Sequence, residues 1–278
     1  TPIRLPDYLH LTNHQKTKKN QNMAAPKNEP KIYTGIGLDF ETSGLDCIKH
    51  ACTQLAMQAI RFDTWEIFDR YVKYFQPYQK QDIGGAPKRK MLRTKQELLQ
   101  EEAKLMEYQS EALTYSGITM DTLYNQGADL KLIARDVIDF GKRATLTNGR
   151  QTKPILIGQN ITFDIGFLEQ LMCYAGLMKE FEKVFAGHYD FYGNFQPKYL
   201  DTIDLGRLAF ANDPTMSSYK LELIAERLGV ELDDAHDAGA DVTATLNVAI
   251  VCSNRLRNNS GAGANLQTTE KTRLHFKI

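Results

Sequence analysis

The sequence predicts an α/β protein with a β-sheet of mixed direction flanked by helices. Two extended runs, about Thr53 to Arg61 and "WEIFDRYVKYF" (Trp65 to Phe75), the second rich in β-branched and aromatic residues, are joined by a short link that suggests an antiparallel hairpin. Beyond them, short apolar runs alternate with amphipathic helical stretches, the pattern of parallel strands with helices packed on the sheet. The 278 residues suffice for one large domain or two small ones, and an apolar fraction of 42% supports a sizeable core.

Residues 1 to 31 read as a polar arm, with Lys16, Lys18 and Lys19 close together and Pro2, Pro6 and Pro26 along it. Its apolar docking points are Leu5, Tyr8, Leu9 and Leu11. The core domain, 32 to 257, opens with a strand from about Tyr33 to Phe40 and continues through the hairpin. A polar insert from about Gln79 to Ser110 begins with Gly84, Gly85 and Pro87, then carries Lys88, Arg89, Lys90, Arg93 and Lys95 with no acid between them. Its second half, "KQELLQEEAKLMEYQSEAL", has helical spacing. A helix is expected over Ala128 to Ala144, a buried strand at "PILIG" (Pro154 to Gly158), and a helix through "TFDIGFLEQLMCYAG". "KYLDTIDL" suggests a further strand and a turn; "YKLELIAERLG" and about Ala238 to Arg257 suggest two closing helices. Residues 258 to 278 form a Gly-rich linker and a tail in which Leu274, Phe276 and Ile278 alternate, as in a strand that docks on an edge or a partner.

Composition removes some classes of function. Lys plus Arg and Asp plus Glu both number 34, so net charge neither demands nor excludes nucleic acid. No apolar run is long enough to span a bilayer, and no apolar signal-peptide core opens the sequence. Cys47, Cys52, Cys173 and Cys252 are scattered without CxxC spacing, which suits free thiols in a reducing cytoplasm rather than a zinc site.

Three places carry chemistry. In "LDFETSG", Asp39 and Glu41 lie two apart on a strand and so share a face. Burying two unpaired carboxylates together is costly, so they form either a surface ladder or a cation site; oxygen ligands at this spacing suit Mg²⁺ or Mn²⁺. In "IGQNITFDIGFLEQ", Asp164 interrupts an apolar run in the first turns of a helix, where the dipole tolerates an anion. In "AHDAGADVTAT", His236 and Asp241 are five apart. They converge if His236 sits on the loop, Asp237 caps the helix and Asp241 occupies its first turns. Taken singly, Asp164 reads as a helix-start acid and His236 as a surface histidine.

In combination and in this order the three places resemble the motifs of the DEDDh 3′→5′ exonucleases, in particular the epsilon-like proofreading subunits of bacterial DNA polymerase III. "ALTYSGIT" and "LDTIDLGRLA" resemble that family's intervening signatures, and the resemblance covers about residues 32 to 255. It implies a ribonuclease-H-like fold and two divalent ions, Mg²⁺ or Mn²⁺, held by Asp39, Glu41, Asp164 and Asp241. It implies His236 as the general base toward the attacking water, and release of nucleoside 5′-monophosphates from the 3′ end of a nucleic acid, single-stranded DNA first. By the same resemblance the Thr42 backbone meets the terminal hydroxyl, Leu45 wedges between the last bases, Asn160 contacts the phosphate and Phe163 lines the base pocket. The sequence departs from the usual pattern at Phe40, where Thr is frequent, and at Gln159, where His is frequent. A polymerase or other replication partner is a further implication. The same motifs serve 3′→5′ exoribonucleases of the ribonuclease T and oligoribonuclease kind. A catalytically dead binding module should have lost an acid or the histidine, and all five residues are present.

Overall fold

The computed structural model describes residues 30–81, 105–230 and 238–258. Among these, the strands are β1 (Thr34–Thr42), β2 (Cys52–Arg61), β3 (Ile67–Tyr74), β4 (Ile155–Gly158), β5 (Gly187–Tyr189), β6 (Phe195–Pro197) and β7 (Tyr199–Asp201). The helices are α1 (Ser110–Ser116), α2 (Met120–Gln126), α3 (Leu130–Ala144), α4 (Ile161–Ala175), α5 (Met178–Val184), α6 (Thr202–Ala209), α7 (Leu221–Leu228) and α8 (Ala238–Asn258). The main sheet has the order β3-β2-β1-β4-β7: β1, β2 and β3 pair antiparallel, while β4 pairs parallel with both β1 and β7. This is the mixed sheet the sequence predicts. β2 is buried from Cys52 to Ile60, because both faces of the sheet are covered by helices.

β1 divides the core in two. Ile36, Leu38 and Phe40 point to the larger cluster, with Ile133 and Val137 of α3 and Phe167 and Leu171 of α4. Gly35, Gly37, Asp39 and Glu41 alternate with them and face the other side, where Val242 and Leu246 of α8 pack with Ile157. A Cβ on Gly37 would come within 2.9 Å of both Leu246 and Val242, so only glycine lets α8 lie this close to β1. Across the antiparallel ladder, Gly37 pairs with Gln58, Asp39 with Ala56 and Glu41 with Gln54, putting all six residues on one face. Gln54 Oε1 accepts from the Ala238 backbone N–H at 3.3 Å. Gln58 Nε2 donates to the Gly239 carbonyl at 3.3 Å and to Thr243 Oγ1 at 2.7 Å. Two buried amides on β2 thus fix the start of α8.

Several local expectations change. Residues 105 to 109 are extended rather than helical: Leu105 bridges Gln79, Glu107 bridges His50, and Met106 is buried in the core. Tertiary pairing overrides helical propensity there, and the helix begins only at Ser110. Where a turn was expected after β7, Asp201 caps α6 directly by accepting from the Ile203 N–H at 2.9 Å. The short elements α2, α5, β5 and β6 gave too little periodicity to be foreseen. The arm, most of the insert with its basic run, His236, Asp237 and the tail lie outside the described residues. The four cysteines are free thiols. Among the described residues no helix is long and apolar enough to cross a membrane.

Candidate active site

The C-terminal ends of β1 and β4 and the N-terminal ends of α4 and α8 meet at one concave pocket of about 660 Å³, lined among others by Asp39, Glu41, Asp164 and Asp241. Among the described residues, Asp39, Glu41 and Asp241 each offer a carboxylate oxygen within 4.8 Å of the others, all half-buried. The spacing on β1 puts Asp39 and Glu41 on the α8 face; the Gly37 contact and the two glutamines bring Asp241 down onto them. Three negative groups at this separation repel, and an oxygen-only donor set of this kind fits hard divalent cations.

Asp164 stands on the other side of β1, in the first turn of α4, and is 3% exposed. Its Oδ1 accepts from the Phe40 backbone N–H at 2.9 Å, which ties α4 to β1 between Asp39 and Glu41. Burial pushes its carboxyl up to about 8; the Phe40 N–H opposes this, while the nearby Glu41 and Asp201 charges add to it. A bound cation would reverse that shift, so the donor set and its electrostatics both fit a metal.

The start of α4 is held by a residue that the sequence reading passed over. Asn160 adopts a left-handed conformation (φ 53°) and its side chain does not cap the helix. Instead Asp201, at the end of β7, accepts from the backbone N–H groups of Asn160 at 3.1 Å and Ile161 at 3.2 Å, as well as from Ile203. One carboxylate therefore serves the first turns of two helices. The available signal was an Asp immediately before the helical stretch "TIDLGRLA". Asp201→Ala is expected to destabilise the fold by about 2 kcal/mol, the scale of a lost cap plus charge-assisted hydrogen bonds. Asp201→Asn, which keeps one acceptor oxygen, should recover part of it in urea denaturation. Equal stability of Asp201→Ala and wild type would refute this positioning role.

Of the residues expected at the substrate, Asn160 and Phe163 line the pocket, and Phe163 packs its ring 5.1 Å from Phe167. Thr42 and Leu45 are not among its lining residues. Thr42 closes β1, its Oγ1 donating to the Gly44 carbonyl at 2.9 Å. Leu45 is 84% exposed on a loop that is firmly held: Ser43 Oγ donates to the Glu107 carbonyl at 2.6 Å, and buried Gln170 donates to the carbonyls of His50, at 2.9 Å, and Cys47. Gln159 lines the same pocket, its side chain donating to the Tyr219 carbonyl at 2.7 Å and accepting from Thr202. Arg207 and Lys220 bring positive charge to the pocket lining, and neither was singled out from sequence.

Comparison with known proteins agrees with this geometry. The family model RNase_T, described as Exonuclease, matches residues 96–249, a span that contains Asp164, His236 and Asp241 and begins after Asp39 and Glu41. The chain is 33% identical over 97 residues to the 3′-5′ exonuclease DinG of Staphylococcus epidermidis, covering 34% of this chain and 9% of that protein. To the DinG of Staphylococcus saprophyticus it is 31% identical over 98 residues, 35% of this chain and 9% of that protein. Among solved structures it resembles the zinc-bound complex of Escherichia coli exonuclease I with single-stranded DNA (TM-score 0.55, 22% identity, 81% of this chain, 41% of that chain). It also resembles the complex of the same enzyme with a dT13 oligonucleotide (TM-score 0.52, 21% identity, 81% of this chain, 43% of that chain). The chain spans less than half the length of these structures and about a tenth of the DinG proteins. At that identity the structures establish the ribonuclease-H-like exonuclease fold, and the model match over more than half of the sequence establishes the family: the chain belongs to the exonucleases, of the DEDDh 3′→5′ type.

Proposed function

We propose that the protein is a metal-dependent 3′→5′ exonuclease that removes nucleoside 5′-monophosphates from single-stranded or frayed DNA ends, in proofreading or repair. The observation that carries this reading is the convergence of Asp39, Glu41 and Asp241, from the first strand and the last helix of the described fold, beside buried Asp164. Asp39, Glu41, Asp164 and Asp241 hold two divalent ions, Mg²⁺ or Mn²⁺, which stabilise charge on the attacking and leaving oxygens of the phosphoryl group. The rest falls to the chain's own groups. His236 takes the proton of the attacking water. Arg207 and Lys220 offset phosphate charge at the pocket, Asn160 and Phe163 receive the terminal nucleotide, and Thr42 and Leu45 contact the end of the strand from the rim. DNA is preferred as substrate because the exonuclease I structures of this fold are described with single-stranded DNA. A replication partner and a reducing, cytoplasmic setting belong to the same reading, the latter in keeping with four free thiols.

The test is hydrolysis of single strands labelled at the 3′ or the 5′ end, with Mg²⁺, Mn²⁺ or EDTA, beside RNA of the same sequence. The 3′ label should appear at once as mononucleotide and the 5′ label should pass through a ladder, only when metal is present. Release from the 5′ end, or undiminished activity in EDTA, would sink the proposal; faster hydrolysis of the RNA would reassign the substrate.

Asp164 gives a second, non-catalytic test. Its carboxyl is raised from 3.8 to about 8 in the folded chain, so the unfolded chain binds fewer protons between those values. Stability from this group is therefore greatest below pH 3.8, falls as pH rises, and is lowest above about 8. Asp164→Asn keeps an oxygen for the Phe40 N–H and removes the buried charge. In EDTA at pH 8 it should melt above wild type, each ~1 kcal/mol being worth about 2–4 °C at this size. Saturating Mg²⁺ should raise the melting temperature of wild type more than that of the variant, which keeps only Asp39, Glu41 and Asp241. A lower melting temperature for Asp164→Asn in EDTA would contradict this account.

A further inference from the structure

At the opposite end of β4 from the acids lies a second cleft, of about 870 Å³, where Ile155 rather than Asn160 contributes to the lining. Its charge is one-sided: Arg150, Lys153, Lys179, Lys183 and Lys198 line it against a single carboxylate, Glu182. Glu182 accepts from the Tyr189 hydroxyl at 3.0 Å, and Lys153 Nζ donates to the Glu182 carbonyl at 3.1 Å. Among the described residues none of the five cations is ion-paired, so their charge is left to the cleft. Half-buried Lys153 has its ammonium pKa lowered by burial and by Arg150, so this cleft gathers positive charge at a cost to the free protein.

The β5–β6 hairpin borders the cleft through Tyr189 and then presents two aromatic rings to water. Phe191 is 97% exposed and Tyr192 85%, with centroids 5.5 Å apart. The turn is built to hold them out: Asp190 Oδ1 accepts from the backbone N–H groups of Tyr192 at 2.9 Å and Asn194 at 2.8 Å. Cations that meet phosphates beside exposed rings on which bases stack are the two elements of a non-sequence-specific single-strand site.

We propose that this cleft and the hairpin tip form an accessory binding site for single-stranded nucleic acid, remote from the acidic pocket. The lysines and Arg150 contact successive phosphates, and Phe191 and Tyr192 stack on bases. The choice of ligand rests on the exonuclease reading; the binding itself does not require that the chain cut. The test measures binding of a fluorescent oligodeoxythymidylate to the full chain in EDTA across a range of salt concentrations. A charge-reversal pair, Lys179→Glu with Lys183→Glu, should weaken binding by roughly tenfold or more. It should also lower the slope of log K against log salt by ~1.4, at ~0.7 for each phosphate left without its lysine. Phe191→Ala with Tyr192→Ala should weaken binding about tenfold and leave that slope unchanged. All four positions are exposed, so the variants should fold, which thermal melts check. With Mg²⁺, hydrolysis of an oligonucleotide too short to leave the acidic pocket should match wild type in both. Unchanged affinity and slope in the charge-reversal pair would overturn the site, as would capture of polyglutamate in preference to DNA. Unchanged affinity in the aromatic pair would overturn the stacking assignment. A wild-type chain that binds DNA through these residues yet degrades none would refute the exonuclease proposal and leave this one standing.

Discussion

Asp241→Asn and Asp39→Asn are each expected to lose roughly 10³-fold or more in the rate of nucleotide release while keeping the fold. Each removes one of three carboxylates whose oxygens lie within 4.8 Å of one another, and with it the site's hold on the cations that stabilise the developing charge. Asn is close in shape to Asp, so α8 should still pack against Gly37 and the sheet should be undisturbed. The measurement is single-turnover hydrolysis of a 3′-labelled strand at saturating Mg²⁺, with circular dichroism on the same samples. Near-full turnover in either variant would refute the placement of metal at this cluster.

His236→Ala should cost ~10²–10⁴-fold, the usual worth of a positioned base, while metal binding persists because the carboxylates remain. The active form of a base is the neutral one. The wild-type rate should therefore climb as pH rises and level off once the imidazole is fully neutral. In the variant this rise should disappear. A pH–rate profile of both proteins in saturating Mn²⁺, with metal affinity followed in parallel, decides the matter: an alanine variant with the wild-type rate and profile removes His236 from the mechanism.

What could be read in advance was local. The D-x-E pair inside an apolar run, the acid at the start of "ITFDIGFL" and the small residues before Asp241 each report on their own neighbourhood, and all three belong to strands or helices with clear periodicity. The mixed sheet followed from the hairpin and the alternation beyond it. What was not legible depends on residues distant in the chain. Nothing around Gln54 or Gln58 says that their amides will meet Ala238, Gly239 and Thr243. Asp201 falls where the sequence suggests a strand and a turn, and only the parallel pairing of β4 with β7 brings it under α4. Residues 105 to 109 carry helix-forming chemistry and are pulled straight by Gln79 and the His50 loop. Short α2 and α5 fall below the length at which periodicity speaks.

Under the proposed mechanism the acidic cluster is complete only when α8 is docked. A chain grown only as far as Gly229 already contains Asp39, Glu41 and Asp164, with every strand of the sheet, yet lacks the acid that completes the cluster. The same holds in reverse for the mature fold. α8 lies against β1 across a glycine and is fixed at its start by two amides, so breaking those contacts would part Asp241 from Asp39 and Glu41 even with the strand pairing intact. Completeness of the cluster is in this sense set by the closure of one helix on the sheet rather than by the strand that carries Asp39 and Glu41.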